Sequence, residues 1–360
     1  MIKYLGSKRL LLQRIVTLVN AVPDATSVVD LFSGTSRVGH ALKAAGFRVL
    51  ANDYAAYAHA LATCYVQADA EQWLEPAHAL INELQHVTPS AGYVTRTFCE
   101  EARYFTPENG ARIDAIRAAI AERALPPELE AIALVSLMEA ADRVDSTTGV
   151  QMAYLKQWAS RAAKPLTLRV PALLPRAVHG SGHATQLDAH EAALTLSGDI
   201  AYLDPPYNQH SYLGNYHIWE TLVRWDAPEA YGIARKRVDV RTRPSIFNSR
   251  PRHADAMRAL LDAIDARVLV VSFSDEGYLT REELTNMLAS RGDVIVLEHD
   301  FKRYVGAQIG VHNQRGERVG EVSHLRNIEY LFVAGRAHDV DAVRRSALAD
   351  STTGAIAAGR

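Results

Sequence analysis

The segment SVVDLFSGTSRVGHALKAAGFRVLANDY, residues 27–54, changes its apolar rhythm twice within 28 residues. Val28 and Val29 form a short β-branched run that reaches Asp30 and a turn of small residues. From about Arg37 to Ala45 apolar side chains recur at helical spacing, Gly46 ends that pattern, and Phe47 to Ala51 is apolar again. Strand, helix and strand in this order predict a βαβ unit, because two parallel strands need a crossover and a helix is the usual one.

Further along the chain, DIAYLD (199–204), RVLVVSFS (267–274), VIVLEHDF (294–301) and IEYLFVAG (328–335) read as strands. Helical patterns such as HADAMRALLDAID and TREELTNMLAS separate the first three. Strands alternating with helices predict an α/β chain with a doubly wound, largely parallel sheet. Upstream, Lys8 to Asn20 has the pattern of an amphipathic helix with Lys8, Arg9, Gln13 and Arg14 on its polar side. Residues from about Ala55 to Ala140 are mostly helical in pattern, and in YFTPENGARIDAIRAAIAERAL the expected N-cap is Thr106, with Pro107 at the first helical position. Between Ala141 and His190 the periodicity gives way to loops, and after Arg336 the small, polar tail is expected to fray.

Composition narrows the function classes without naming one. The chain has 360 residues, 48% hydrophobic and 22% charged, a balance that belongs to a folded protein. A net charge of −2 leaves any polyanionic partner to a local patch. Cys64 and Cys99 are the only cysteines, too few for a disulfide framework and wrongly spaced for zinc, so no metal is expected and a reducing cytoplasm is. No apolar run is long enough to span a membrane, and the N-terminal apolar stretch is broken by Gln13 and Arg14.

In a doubly wound sheet the turn after the first strand cradles nucleotides. Gly34 there either only turns the chain or lets the backbone approach a ligand. Asp53 either caps the next helix or accepts hydrogen bonds from ribose hydroxyls, about 20 residues after the glycine as that geometry expects. Ser36 and Val38 stand where a dinucleotide fingerprint has glycines, and Lys43 lies within the helix rather than on a phosphate loop, so a ligand with a ribose but no diphosphate fits better.

The second site is AYLDPPY, residues 201–207, which ends a buried strand. By average residue usage DPPY occurs by chance in a chain of this size on the order of once in a thousand, which favours a site over a mere strand-ending turn. Asp204 and Tyr207 are expected to project into the crevice of Gly34. Two successive prolines stiffen the backbone and remove donors, leaving the carbonyls of Asp204 and Pro205 as fixed acceptors beside the Asp204 carboxylate. Such a clamp suits a planar substrate with an exocyclic amine. Gripping the hydrogens pulls the nitrogen toward tetrahedral geometry and frees its lone pair for attack, while Tyr207 stacks on the ring, so catalysis rests on positioning and preorganised electrostatics.

With YLGSKR (4–9), VVDLFSGTSRVG (28–39), NDY (52–54) and YLDPPYNQHSY (202–212) assembled, the chain resembles the DNA adenine-N6 methyltransferases of the Dam methylase-like alpha group, over about residues 1–60 and 185–335. The resemblance implies a Rossmann-like doubly wound methyltransferase sheet with an inserted, mostly helical target-recognition region. It implies S-adenosyl-L-methionine as cofactor, with Tyr4, Lys8, Asp30, Gly34, Asp53, Asp188 and Asp204 as contacts. Lys8 would lie near the methionine carboxylate, Asp53 on the ribose, and Asp188 either beside the adenine or merely as a helix cap. Asp204, Pro205, Pro206 and Tyr207 match the catalytic motif. Ser36 departs from the family's usual glycine.

Residues 1–66 are accordingly expected to form the first, cofactor-binding part of the catalytic domain, 67–184 the inserted recognition region, 185–336 the second part, and 337–360 a tail. The expected partner is double-stranded DNA, with a cognate restriction endonuclease or without one. Adenine must leave the stack to reach such a pocket, and Asn208, His210 and Tyr212 are candidates for closing over it. Candidate DNA contacts are the seven arginines and lysines of 234–253, a hairpin bearing Arg315 and Arg318, and Arg143, Lys156, Arg161, Lys164 and Arg169 of the middle region. Methylation of another planar amine (cytosine N4, an RNA base or a protein glutamine amide) and a non-catalytic DNA-binding protein of the same fold are the competing readings. Asp204 favours adenine over the former, because enzymes for other amines often carry serine or asparagine there.

Overall fold

A computed structural model describes residues 1–6, 8–302, 311–312, 318–320 and 326–357. Its centre is a seven-stranded sheet of β1 (Ser27–Asp30), β2 (Arg48–Asn52), β3 (His183–Thr185), β4 (Ser197–Leu203), β5 (Asp265–Ser274), β6 (Asp293–Lys302) and β7 (Arg326–Gly335). The order across the sheet is β3-β2-β1-β4-β5-β7-β6. From β3 to β5 all neighbours pair in parallel, and β7 runs antiparallel to both β5 and β6.

The central strands are apolar on both sides because helices cover both faces. Val28, Val49, Ile200, Tyr202, Val268 and Val270 face α1 (Leu12–Asn20) and α2 (Arg37–Ala44). Their neighbours in sequence, Val29, Leu50, Ala201, Leu203, Leu269 and Val271, form a second core with α7 (Ala189–Thr195), α9 (Arg250–Ala263) and α10 (Arg281–Leu288). A one-residue slip in β1 or β4 would exchange these two sets, so the alternation fixes the register.

The chain lays down β1, β2 and β3 toward one edge and then returns to place β4 on the other side of β1. Ligands bind at such a reversal, beyond the carboxyl ends of the strands. The residues found there are Asp30 at the end of β1 and Asp204 just past β4.

Between β2 and β3 lie α3 (Ala56–Ala62), α4 (Ala70–Gln85), α5 (Pro107–Ala121) and α6 (Pro127–Val144), which bury a third core together with α8 (His217–Arg224). Thr106 caps α5 by accepting a hydrogen bond from the Asn109 amide, with Pro107 next, as its sequence predicts. The segment after Arg336 differs from its sequence reading. It forms α11 (Ala337–Ala357), because Val340 and Val343 bury against the sheet and Asp339 pairs with Arg267. Small, polar composition hid this short apolar stripe.

Candidate active site

The cleft at the reversal is walled by four stretches that are remote in sequence. The loop after β1 contributes Leu31 to Thr35, the end of β2 Asn52 to Ala55, the segment after β4 Asp204, Pro206 and Tyr212, and the stretch 243–248 closes the far side. Tyr4, Lys8, Asp30, Gly34, Asp53, Asp188 and Asp204 all line it. Of the residues singled out by sequence, Pro205 and Tyr207 do not. Pro205 is buried behind the wall, and the Tyr207 ring packs edge-on against Phe273 with centroids 5.8 Å apart. The sequence shows where the strand ends but not that Phe273 on neighbouring β5 offers the ring an apolar partner, while the charges of Lys8, Glu329 and Asp204 at the base of the cleft act on the Tyr207 hydroxyl.

The N-terminal strap is held from outside the sheet. Lys3 is anchored to Asp145 at 2.8 Å through its ammonium and to Asp142 through its amide at 3.1 Å. This places the Tyr4 ring between Tyr216 and Tyr212, at centroid distances of 4.5 and 5.2 Å, with its hydroxyl 3.2 Å from that of Tyr57. Tyr4 also covers Gly34, whose φ is +50°; a Cβ there would sit 3.6 Å from the ring. Tyr212, a candidate for closing over a base, is therefore part of a tyrosine stack on the wall. Asn208 and His210 are tied through their carbonyls to the Asn248 side-chain amide at 2.7 and 3.1 Å.

The β1 loop needs two left-handed residues in quick succession. Gly34 is one, and Ser36, with φ 56° and ψ 21°, is the other. A glycine is easily accommodated at that position, which gives a physical reason for the resemblance's usual residue there. The Ser36 hydroxyl is also buried without a hydrogen-bond partner. Ser36→Gly is expected to stabilise the protein by about 1–2 kcal/mol, from relieved backbone strain and a removed unpaired hydroxyl; equilibrium denaturation measures this, and a loss of stability contradicts it.

Asp53 accepts hydrogen bonds from the Gly34 amide at 2.9 Å and the Ala55 amide at 3.0 Å, so it fastens the β1 loop to β2 while lining the cleft. Burial raises its pKa to about 6 against the pull of those amides. Asp188 caps α7 by accepting from the His190 amide at 2.9 Å and also lines the cleft. Asp30 is 1% exposed, and its carboxyl is approached by the amides of Phe32 and Gly39. Burial, then the charges of Asp204 and Asp53, push its pKa to about 8, so it carries a proton at neutral pH.

At the base of the cleft Lys8 is the central cation. It lies in the 3-10 turn Lys8–Leu10 ahead of α1 and is buried, not on a polar helix face as its sequence suggests. Its ammonium stands 3.2 Å from Asp204 Oδ1 and 3.1 Å from Glu329 Oε2. Burial works against its charge, but Asp204 and then Glu329 more than offset this and hold its pKa above the ordinary lysine value. Asp204 is raised to about 6 by burial, with Lys8 pulling it down and Glu329 pushing it up. It is therefore mostly ionised at pH 7, with one oxygen held by Lys8.

Glu329 is the functional candidate that sequence reasoning missed, and Arg243, expected as a DNA contact within 234–253, has a different place. Glu329, at the start of IEYLFVAG, pairs with Ser274 at the carboxyl end of β5 and so reaches the same edge as Asp204. Arg243 donates to Tyr54 at 2.9 Å, lies over that ring at 4.8 Å, and pairs with the fully buried Glu220 at 3.1 Å. Three of the seven basic residues of 234–253 are thus paired with acids, while Arg241, Arg250 and Arg252 are exposed. Arg237 is 2% exposed and clamped by Asp226 and Asp239, Arg235 pairs with Glu101, and residues 243–248 wall the cleft. In the middle region Arg161 is likewise paired with Asp145. Val311–His312 pairs antiparallel with Arg318–Gly320, whereas the expected turn with Arg315 lies outside the described residues.

The chemistry of the cleft fits a nucleoside-bearing methyl donor. Asp53 and Asp188 offer acceptors along one side, Gly34 leaves backbone uncovered except by Tyr4, and the buried hydroxyl of Ser33 lines the cavity without a partner.

The model of the D12 class N6 adenine-specific DNA methyltransferases matches residues 4–287. Type II methyltransferase M.FokI of Planomicrobium okeanokoites is 33% identical over 349 residues, covering 92% of this chain and 52% of the relative. Type II methyltransferase M.NlaIII of Neisseria lactamica is 29% identical over 335 residues, covering 89% of this chain and 98% of the relative. Modification methylase StsI of Streptococcus sanguinis is 28% identical over 331 residues, covering 87% and 50%. The chain thus spans about half the length of the FokI and StsI methylases and nearly all of the NlaIII enzyme. A methyltransferase of this kind implies an S-adenosylmethionine-type donor, and among the described residues no helix is long and apolar enough to cross a membrane. With a family match that takes in both the β1 loop and the Asp204 motif, the chain belongs to the D12 class of N6 adenine-specific DNA methyltransferases.

Proposed function

We propose that this protein transfers the methyl group of S-adenosylmethionine to N6 of an adenine extruded from a short sequence in double-stranded DNA, and that it serves as a modification methylase in the cytoplasm. The observation that carries this reading is the shared cleft: Asp204 stands on Lys8 within the same cavity as Gly34 and Asp53. The relatives' names, Type II methyltransferase and modification methylase, support a protective role beside an endonuclease of the same specificity.

Asp53 would hold the ribose hydroxyls, Asp188 the adenine side of the cofactor, and Gly34 the close approach of the backbone. Lys8 has three donors and directs its charge at two acids, which leaves one donor for the carboxylate of the methionine part. When bound, the cofactor supplies a methyl group on a positively charged sulfur. The Asp204 carboxylate accepts a hydrogen of the target amine and holds its lone pair toward that methyl. Its partial burial strengthens the grip, because fixed acceptors act more strongly where water is scarce. Tyr207, braced edge-on by Phe273, would stack on the extruded base. The helical region between β2 and β3 is the proposed reader of the target sequence.

Incubating the full chain with DNA and isotopically labelled cofactor, then digesting the product to nucleosides, tests this. N6-methyladenine is the expected labelled product. Label in N4-methylcytosine, in RNA only or in protein would replace the reading with one of its competitors, and no transfer to any DNA would remove it.

A further inference from the structure

A second cleft, of about 590 Å³, opens beside the first and is lined by Arg9, Arg37, Arg143 and Arg169 with His40 and a single acid, Glu139. Arg37, at the start of α2, lines both clefts. Glu139 is already engaged: it accepts from the Tyr65 hydroxyl at 2.5 Å and lies 3.9 Å from Arg143. Arg143 also donates to the Thr167 carbonyl at 2.8 Å. Among the described residues no acid stands within ion-pair distance of Arg9, Arg37 or Arg169, and the Arg37 Nε is buried without a partner.

These cations oppose one another. After burial, Arg9 is the main influence depressing the Arg37 pKa, and Arg169 does the same to Arg143. His40 is held below its ordinary pKa by burial, with Lys43 and Arg37 adding to the effect, so it stays neutral at pH 7. Folding has therefore gathered four guanidinium groups around open space with one carboxylate, which the N-terminal ammonium already pairs, an arrangement that costs free energy until an anion enters. Guanidinium forks match phosphate oxygens in geometry and charge.

We propose that this cleft is a phosphate-binding site that holds the DNA backbone next to the extruded nucleotide. The inference rests on the function proposed above. A strand whose base occupies the first cleft carries its neighbouring phosphates across Arg37, the residue common to both openings, and into the second. A single free phosphate would need neither the continuity with the first cleft nor guanidinium groups spread along it.

The test uses the full chain with Arg9→Gln and Arg169→Gln combined, since both side chains are exposed and neither lines the first cleft. Affinity for a duplex that the wild type methylates is measured against salt concentration. Two lost phosphate contacts should lower the log–log salt slope by about 1.8, while cofactor affinity and melting temperature stay at wild-type values and show the variant folded. A charge-matched control, Arg258→Gln with Arg344→Gln, should leave the slope unchanged. An unaltered slope in the cleft variant, or an equal loss in the control, overturns the assignment. So does a cleft that binds inorganic phosphate through Arg9 and Arg169 while DNA affinity is the same with or without them. In each of these cases methylation of DNA by the wild type leaves the proposed function standing; absence of that methylation removes both.

Discussion

Asp204→Ala should reduce methyl transfer to DNA by about 10²–10³-fold or more, the loss typical when a preorganised polar group at the reacting centre is removed. Alanine deletes the acceptor for the target amine and leaves Lys8 facing Glu329 alone. Cofactor binding should persist, because Asp53, Asp188 and Gly34 reach the cleft from other strands and loops. Asp204→Asn retains a carbonyl acceptor without the charge and should fall between wild type and alanine. Single-turnover rates with saturating DNA and cofactor measure this; robust transfer by the alanine variant would dismantle the mechanism. The wild-type rate should also fall with acidification through about pH 6, where Asp204 gains its proton and loses an acceptor.

Lys8→Met should be the most damaging single change to stability. Lys8 is 7% exposed and is the cation shared by Asp204 and Glu329, whose side chains are 22% and 17% exposed. Removing one partner of a buried pair costs about 3–5 kcal/mol, because the remaining charges stay desolvated. The acids can escape part of this cost by binding protons. Without Lys8, Asp204 loses the influence that pulls its pKa down, so it rises above about 6, further from its unfolded value. A group whose folded pKa is raised holds its proton more tightly in the folded state, so the variant's deficit should shrink from pH 8 to pH 6. Denaturation of wild type and variant at both pH values measures the difference; an equal deficit would mean that Lys8 acts by packing alone. In the variant the acid limb of any remaining activity should move to higher pH for the same reason.

Sequence periodicity was sufficient for six of the seven strands and the two helix layers, but not for the three-residue edge strand β3, which lies in a stretch that reads as loops. Val28/Val29 and Ile200/Ala201 alternate between two cores, and a period of two is local information that a strand carries wherever it is placed. Thr106–Pro107 likewise marks a helix start by chemistry confined to a few residues. The β1 loop and the Asp204 motif were legible because each concentrates unusual backbone requirements, left-handed residues in one and two prolines in the other.

What remained out of reach depends on distances through space. The arginines of 234–253 look like a solvated basic face in sequence, yet Arg237 and Arg243 are spent on Asp226, Asp239 and Glu220. The reverse holds for Arg9, Arg37, Arg143 and Arg169, scattered over the chain and gathered into one cleft. Glu329 gives no local hint of its role and acquires one because β7 runs antiparallel beside β5 and brings it to the edge where β4 ends. Taken alone, the sequence determined most strands and helices and the two chemical motifs, since those follow from each residue's own backbone and its nearest neighbours, but neither β3 nor α11. Which charges neutralise one another, which ring turns to the cleft and which to the core, and which acid keeps its proton were decided only by tertiary structure, because Coulomb forces and desolvation act between groups that the chain itself holds far apart.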